Sequence, residues 1–235
     1  MNDIRALVLA GGSGTRMHSD RPKQFLGYKG KPLFLSTVEC FLSLSIPVTL
    51  VCRFEDIKEV EQILKQELKV EAGAGIAGGS LPVQLVPGGT ERFESSYAGL
   101  TALKEAGGCK YVLIQDAARP FLDQALVERV VETVKEYGTA VAAVPSKDTV
   151  KIADPDGFVV STPDRSSVYI IQTPQAFRLD IILEAYDKMF AAGDFTGITD
   201  DASVVERFTS CPVKLCMGNY ENHKITTPED LRYLD

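Results

Sequence analysis

Residues 7–26 read LVLAGGSGTRMHSDRPKQFL. A short apolar run gives way to Gly11, Gly12 and Gly14, and Arg16, Arg21 and Lys23 follow at once. Such an unbroken apolar run marks a strand buried on both faces, the kind found in parallel sheets covered by helices. The glycines let the backbone come close to a ligand and turn its N–H groups toward phosphate oxygens. Two common phosphate motifs are absent. No G-x-x-x-x-G-K-[ST] spacing occurs, and Met17 stands where the dinucleotide fingerprint needs its third glycine.

Outward from this stretch, strand and helix signals alternate. VTLVC (48–52) reads as a second buried strand, and Ile57, Val60, Ile63, Leu64 and Leu68 then recur at helical spacing. Residues 71–80, EAGAGIAGGS, have the composition of a flexible loop. VQLV (83–86) predicts a strand, and ERFESSYAGLTAL (91–103) a helix with Tyr97, Leu100 and Leu103 on one stripe. YVLI (111–114) predicts a strand aimed at QDAARP (115–120). Leu126, Val127, Val130, Val131 and Val134 mark the next helix, and AVAAV (140–144) the next strand. The repeated order predicts one α/β domain over residues 1–235, Rossmann-like, with a mostly parallel sheet flanked by helices. Such sheets bind ligands beyond the carboxyl ends of their strands. The loops at 10–14, 87–92 and 115–120 all follow strands, so one crevice can receive all three.

Residues 146–172 break the rhythm. Polar and apolar residues alternate around the turn DPDG (154–157), which predicts a protruding β-hairpin arm rather than another strand–helix unit. Its apolar residues have no evident cover, which points to a partner subunit and a homodimer. Beyond the arm, a helix is predicted over about 179–190, another after TDDAS (199–203), and a strand in PVKLCMG (212–218). Thr227 and Pro228 suit the N-cap and first position of a final helix.

A net charge of −7 argues against a nucleic-acid partner, which needs a broad basic face, but leaves room for a local basic pocket. The cysteines are odd in number, form no C-x-x-C, and have only His18 and His223 to join them, so neither a zinc site nor a disulfide framework is expected. The opening apolar run is too short for a signal peptide, and no run of about 18 apolar residues appears. A cytoplasmic protein with no membrane contact is predicted.

The stations LAGGSGTRM, RPKQFL, GGTERFESS, DAARPF, KDTVK, QTPQAF, TDDAS and KITTPEDL fall in order along nearly the whole chain. In this the sequence resembles the family of cytidylyltransferases that activate sugar-alcohol phosphates. The resemblance implies CMP transfer from CTP to such a phosphate, with Mg²⁺ as divalent cation. It implies that the backbone of Ala10, Gly11, Gly12, Ser13 and Gly14 wraps CTP, while Arg16, Lys23 and Lys224 stabilise the reacting phosphates. Gly88, Gly89, Thr90 and Ser95 would serve the cytosine; Thr90 stands where the family often has Asp. Asp116 would hold the Mg²⁺, with Ala117 and Arg119 completing its loop. Thr149 and Arg165, on the arm, would bind the acceptor's phosphate across a dimer. His223 stands where the family usually has an apolar residue, and no catalytic histidine is implied.

Two acceptors remain open at this point. DAARPF, KDT and TDDAS lean toward methylerythritol 4-phosphate, and Gly12 toward ribitol 5-phosphate. A sugar-1-phosphate nucleotidyltransferase would normally carry a larger sugar-binding half. A non-catalytic nucleotide-binding subunit would have no need of Arg16, Lys23, Asp116 and Lys224 together.

Overall fold

The computed structural model describes residues 3–12, 17, 22–68 and 83–234. In chain order the elements are β1 (Ile4–Leu9), the short pair β2 (Gly27–Tyr28) and β3 (Lys31–Pro32), α1 (Leu33–Ser43), β4 (Val48–Cys52), α2 (Ile57–Glu67), β5 (Val83–Pro87), α3 (Arg92–Ala106), β6 (Tyr111–Asp116), α4 (Gln124–Tyr137) and β7 (Thr139–Pro145). They continue with β8 (Ile152–Ala153), β9 (Val159–Ser161), β10 (Tyr169–Arg178), α5 (Leu179–Ala192), α6 (Asp201–Phe208) and β11 (Leu215–Met217).

Seven strands form one sheet in the order β11-β7-β10-β6-β1-β4-β5. β10 runs antiparallel to both neighbours and the other pairings are parallel. The apolar runs read from the sequence are unbroken because both faces are covered. Ile4, Ala6 and Val8 join the core under α1, α2 and α4, whereas Leu7 joins the core under α3, α5 and α6. Gly99 of α3 is where a helix presses on the sheet, since a Cβ there would lie 2.2 Å from Leu7 Cδ1.

Four boundaries differ from expectation. Residues 169–172 are not part of an arm: they open β10, and Tyr169 pairs with Pro145 in the central sheet. The hairpin proper is β8 and β9 around the predicted DPDG turn, where Asp154 Oδ1 accepts from the N–H groups of Asp156 and Phe158. α6 begins inside TDDAS rather than after it, because Asp200 accepts from Ser203 N–H and caps the helix there. The last strand shortens to Leu215–Met217, and the final helix is a 3₁₀ turn, Pro228–Tyr233, with Thr227 at its N-cap as expected. The loop predicted at 71–80 lies outside the described residues.

Candidate active site

The strand order reverses around β1, which pairs with β4 on one side and β6 on the other, so their carboxyl ends open a crevice. Leu9 lies in register with Asp116 across it. Backbone bonds extend the ladder past the strands: Ala10 N–H donates to Val51 O at 2.7 Å, Ala117 N–H to Leu9 O at 3.0 Å, and Gly88 N–H to Cys52 O at 2.8 Å. The loops after β1, β5 and β6 therefore meet, as the sequence predicted.

One cleft is lined by Ala10, Gly11, Gly12, Lys23, Thr90, Ser95, Asp116, Ala117 and Lys224, with Gln24, Glu91 and Arg92 among the others around it. The structure thus gathers most of the residues singled out from the sequence. Ser13, Gly14 and Arg16 lie outside the described residues, as do Arg21 and His18. Gly88 and Gly89 do more than turn the chain. A Cβ on Gly88 would meet Ser95 Oγ at 2.7 Å, and one on Gly89 would meet Glu94 Cβ at 2.4 Å. Both therefore allow the loop to lie against the first turn of α3. That turn is locked by a capping box, in which Glu91 accepts from the N–H of Glu94, and the Glu94 carboxylate accepts from Glu91 N–H at 3.0 Å. Gly12, by contrast, has open space where a Cβ would be.

Asp116 sits at the floor, 8% exposed. Lys224 Nζ donates to its Oδ2 at 2.6 Å, and Arg92 Nη2 and Nε lie 3.3 Å from its Oδ1. Its backbone N–H donates to Thr173 Oγ1 at 3.1 Å. Burial alone would raise the Asp116 carboxyl, but Arg92 and then Lys224 outweigh it and hold the group well below the ordinary carboxylate range. It is an anion at neutral pH.

Lys224 is aimed from a loop that is itself anchored. Asn222, fully buried, donates to Thr173 O at 2.8 Å, and Gln172 Nε2 donates to Asn219 O at 2.8 Å. Arg119 does not line the cleft with Asp116. Its Nη1 donates to Asn222 O at 2.7 Å, and it borders a neighbouring pocket with Lys147, Tyr220, His223 and Lys224. Thr149 and Arg165 are exposed and line neither cavity, and Arg165 Nη1 reaches only Lys147 O, at 3.5 Å. His223 stacks on Tyr233 with ring centroids 4.1 Å apart.

Sequence reasoning missed Arg92, Asp201 and Thr173 as site residues. Arg92 and Asp201 lie within stations already noted, GGTERFESS and TDDAS, but 109 positions separate them, so only the folded chain shows that Arg92 Nη2 donates to Asp201 Oδ2 at 2.7 Å.

A doubly covered α/β sheet with glycine loops, lysines and a buried carboxylate at its carboxyl edge defines a nucleotidyltransferase-like site. Residues 4–234 match the IspD family, 2-C-methyl-D-erythritol 4-phosphate cytidylyltransferase, and the chain belongs to it. The proteins of that name from Lachnospira eligens and Lachnoclostridium phytofermentans are 41% and 40% identical to it. These alignments cover 96% and 100% of this chain, and 95% and 96% of theirs. The crystal structure of 4-diphosphocytidyl-2C-methyl-D-erythritol synthase from Anaerococcus prevotii superposes with a TM-score of 0.81 at 32% identity, covering 98% of this chain and 95% of the other. The chain is a cytidylyltransferase enzyme of the non-mevalonate isoprenoid pathway, acting on 2-C-methyl-D-erythritol 4-phosphate. Membership settles the acceptor left open by the sequence. Among the described residues no helix is long and apolar enough to cross a membrane, and all five cysteines are free.

Proposed function

We propose that the cleft between β1 and β6 transfers CMP from CTP by in-line attack of the acceptor's phosphate oxygen on the α-phosphorus, with pyrophosphate leaving. The observation that carries this reading is the convergence of Lys23, Asp116 and Lys224 on one cleft floored by Ala10–Gly12. The nucleophile is already an anion near neutral pH, so no strong general base is needed. What the reaction needs is fixed positive charge where negative charge builds on the phosphoryl oxygens. Lys23 and Lys224 supply it in the described part of the cleft, and Arg16 is assigned the same role. The backbone of Ala10–Gly14 wraps the triphosphate. Gly88, Gly89, Thr90 and Ser95 take the cytosine, since the tight fold of that loop on α3 presents its backbone to a flat base.

Mg²⁺ fits the donor set. The ion takes one or two carboxylates and completes its octahedron with water and phosphate oxygens. Among the described residues no three His, Cys, Asp or Glu cluster as a resident metal cage would require. Asp116, a buried anion at the floor of the cleft, suits an ion that arrives on the nucleotide. When bound, Mg²⁺ would neutralise charge shared by the phosphate oxygens. Ala117 and Arg119 brace the Asp116 loop; Arg119 does so through Asn222 O.

The active unit is assigned as a homodimer. Ile152, Phe158, Val159 and Val160 of the hairpin are 52–73% exposed, an apolar surface that a second copy would cover. Thr149 and Arg165, both outside the chain's own cleft, are then supplied to the partner's acceptor phosphate, where the Arg fork can make two parallel charge-assisted bonds. The cytoplasm is the assigned compartment, consistent with the free thiols.

Pyrophosphate release measured with CTP and Mg²⁺ tests the reading. Release is expected with methylerythritol 4-phosphate and not with ribitol 5-phosphate. Release with ribitol 5-phosphate alone would move the acceptor, and release with neither would remove the catalytic assignment.

A further inference from the structure

Asp201 is fully buried, at the first position of α6, and none of its neighbours in the chain reaches the cleft. A carboxylate without water needs a cation and hydrogen bonds to be tolerated. It has Arg92 Nη2 at 2.7 Å on Oδ2 and Tyr186 Oη at 2.7 Å on Oδ1. Its position is rigid. Asp200 caps α6, Gln175 of β10 grips the turn through Asp200 Oδ2 at 2.7 Å and Ala202 N–H at 2.9 Å, and Tyr186 is itself fully buried.

The consequence falls on Arg92, which does line the cleft. Its Nη2 is shared between two carboxylates, close to Asp201 and 3.3 Å from Asp116 Oδ1. A guanidinium facing one carboxylate alone closes to a two-bond fork at shorter distance. Asp201 prevents this by holding Arg92 to the side, so that the oxygen Oδ1 is met only by long contacts while Lys224 occupies Oδ2.

We infer that Asp201, held at the start of α6 and acting through Arg92, is a positioning residue that keeps Asp116 open to the cation of the incoming nucleotide. This rests on the assignment of Asp116 to that cation. Without Asp201 the guanidinium settles on Asp116 and competes with the metal. Without the Tyr186 hydroxyl, Asp201 draws Arg92 more strongly, and Asp116 is left as open as before or more so.

The test is calorimetric binding of Mg·CTP in the absence of acceptor, with thermal melts to confirm folding. Asp201→Asn keeps the shape and is expected to weaken binding about tenfold, the size of one charge-assisted contact. Tyr186→Phe, which keeps the packed ring, is expected to bind no more weakly than wild type. In an Asp116→Asn background the Asp201→Asn loss is expected to vanish, because the effect travels through Asp116. Wild-type affinity in folded Asp201→Asn overturns the inference. So does equal weakening by both single variants, or the same Asp201→Asn loss in both backgrounds, since each of these marks general structural support. If Asp116→Asn alone binds Mg·CTP as wild type does, the Asp116 assignment itself falls, a result separate from the other three.

Discussion

The cleft and the arm are opposite solutions to the placing of side chains. In and behind the cleft, charged groups are drawn out of water and answered within the chain. Asp116 meets Lys224 at 2.6 Å, and Asp201 meets Arg92 and Tyr186 at 2.7 Å each. In the arm, apolar groups are held in water and no described residue covers them; Phe158 is 73% exposed on a hairpin whose strands are two and three residues long. A short two-stranded ribbon is marginal on its own. The cleft's buried charges are matched within one chain, whereas the arm leaves its apolar side chains uncovered.

The largest expected effect lies in the cleft. Lys23→Ala should lower turnover by about a hundredfold or more without changing the melting temperature appreciably, because it removes the proposed transition-state cation from a half-buried position. Near-normal turnover would reject that role. The next test joins the two regions. Arg165→Ala and Lys23→Ala homodimers should each be nearly inactive, yet a one-to-one mixture after subunit exchange should recover about a quarter of wild-type activity, since half the dimers would carry one intact composite site. No recovery would separate the arm from the site.

A third substitution contrasts two glycines. Gly89→Ala forces a Cβ against Glu94 and should raise the KM for CTP about tenfold, within the usual cost of overpacking. Gly12→Ala meets nothing and should change it far less. Phe158→Asp should shift the protein toward monomer in sedimentation, with the melting of the α/β domain little altered, because that side chain touches none of the core. The smallest effect concerns acid. Although burial opposes it, Arg92 and Lys224 hold Asp116 below its ordinary 3.8, so the unfolded chain binds its proton first as pH falls. The pairing therefore stabilises the fold above the unfolded value and is lost only as pH drops through the lower native one. Asp116→Asn should flatten the acid limb of stability measured by urea unfolding between pH 5 and pH 2, a window spanning the ordinary carboxylate range.

Much of the site was legible because the chemistry sits in short loops after apolar strands. LVLA, VTLVC and YVLI read as central strands, since short unbroken apolar runs set between helical stripes suit strands buried on both faces. Once the strands are parallel, their following loops share an edge, and Gly88, Asp116 and the loop after Leu9 come together without further information. The helix boundaries were harder. Asp200 was hidden as a cap because its partner, Ser203, lay inside the same polar station, and Tyr169–Gln172 read as arm because this end of β10 pairs with β7 but not with β6 and leaves Tyr169, Ile170 and Ile171 exposed, as a hairpin would.

The sequence by itself determined the layered α/β architecture, the edge at which the candidate site lies, and the family, because hydrophobic period and ordered local motifs are properties of neighbours along the chain. Tertiary structure alone decided how the charges are shared. Arg92 was a helix-start arginine and Asp201 one of a pair of aspartates until folding brought α3 and α6 to the same side of β6. Buried charge is tolerated only with a partner, and which partner it finds is a matter of distance in space, to which sequence separation gives no guide.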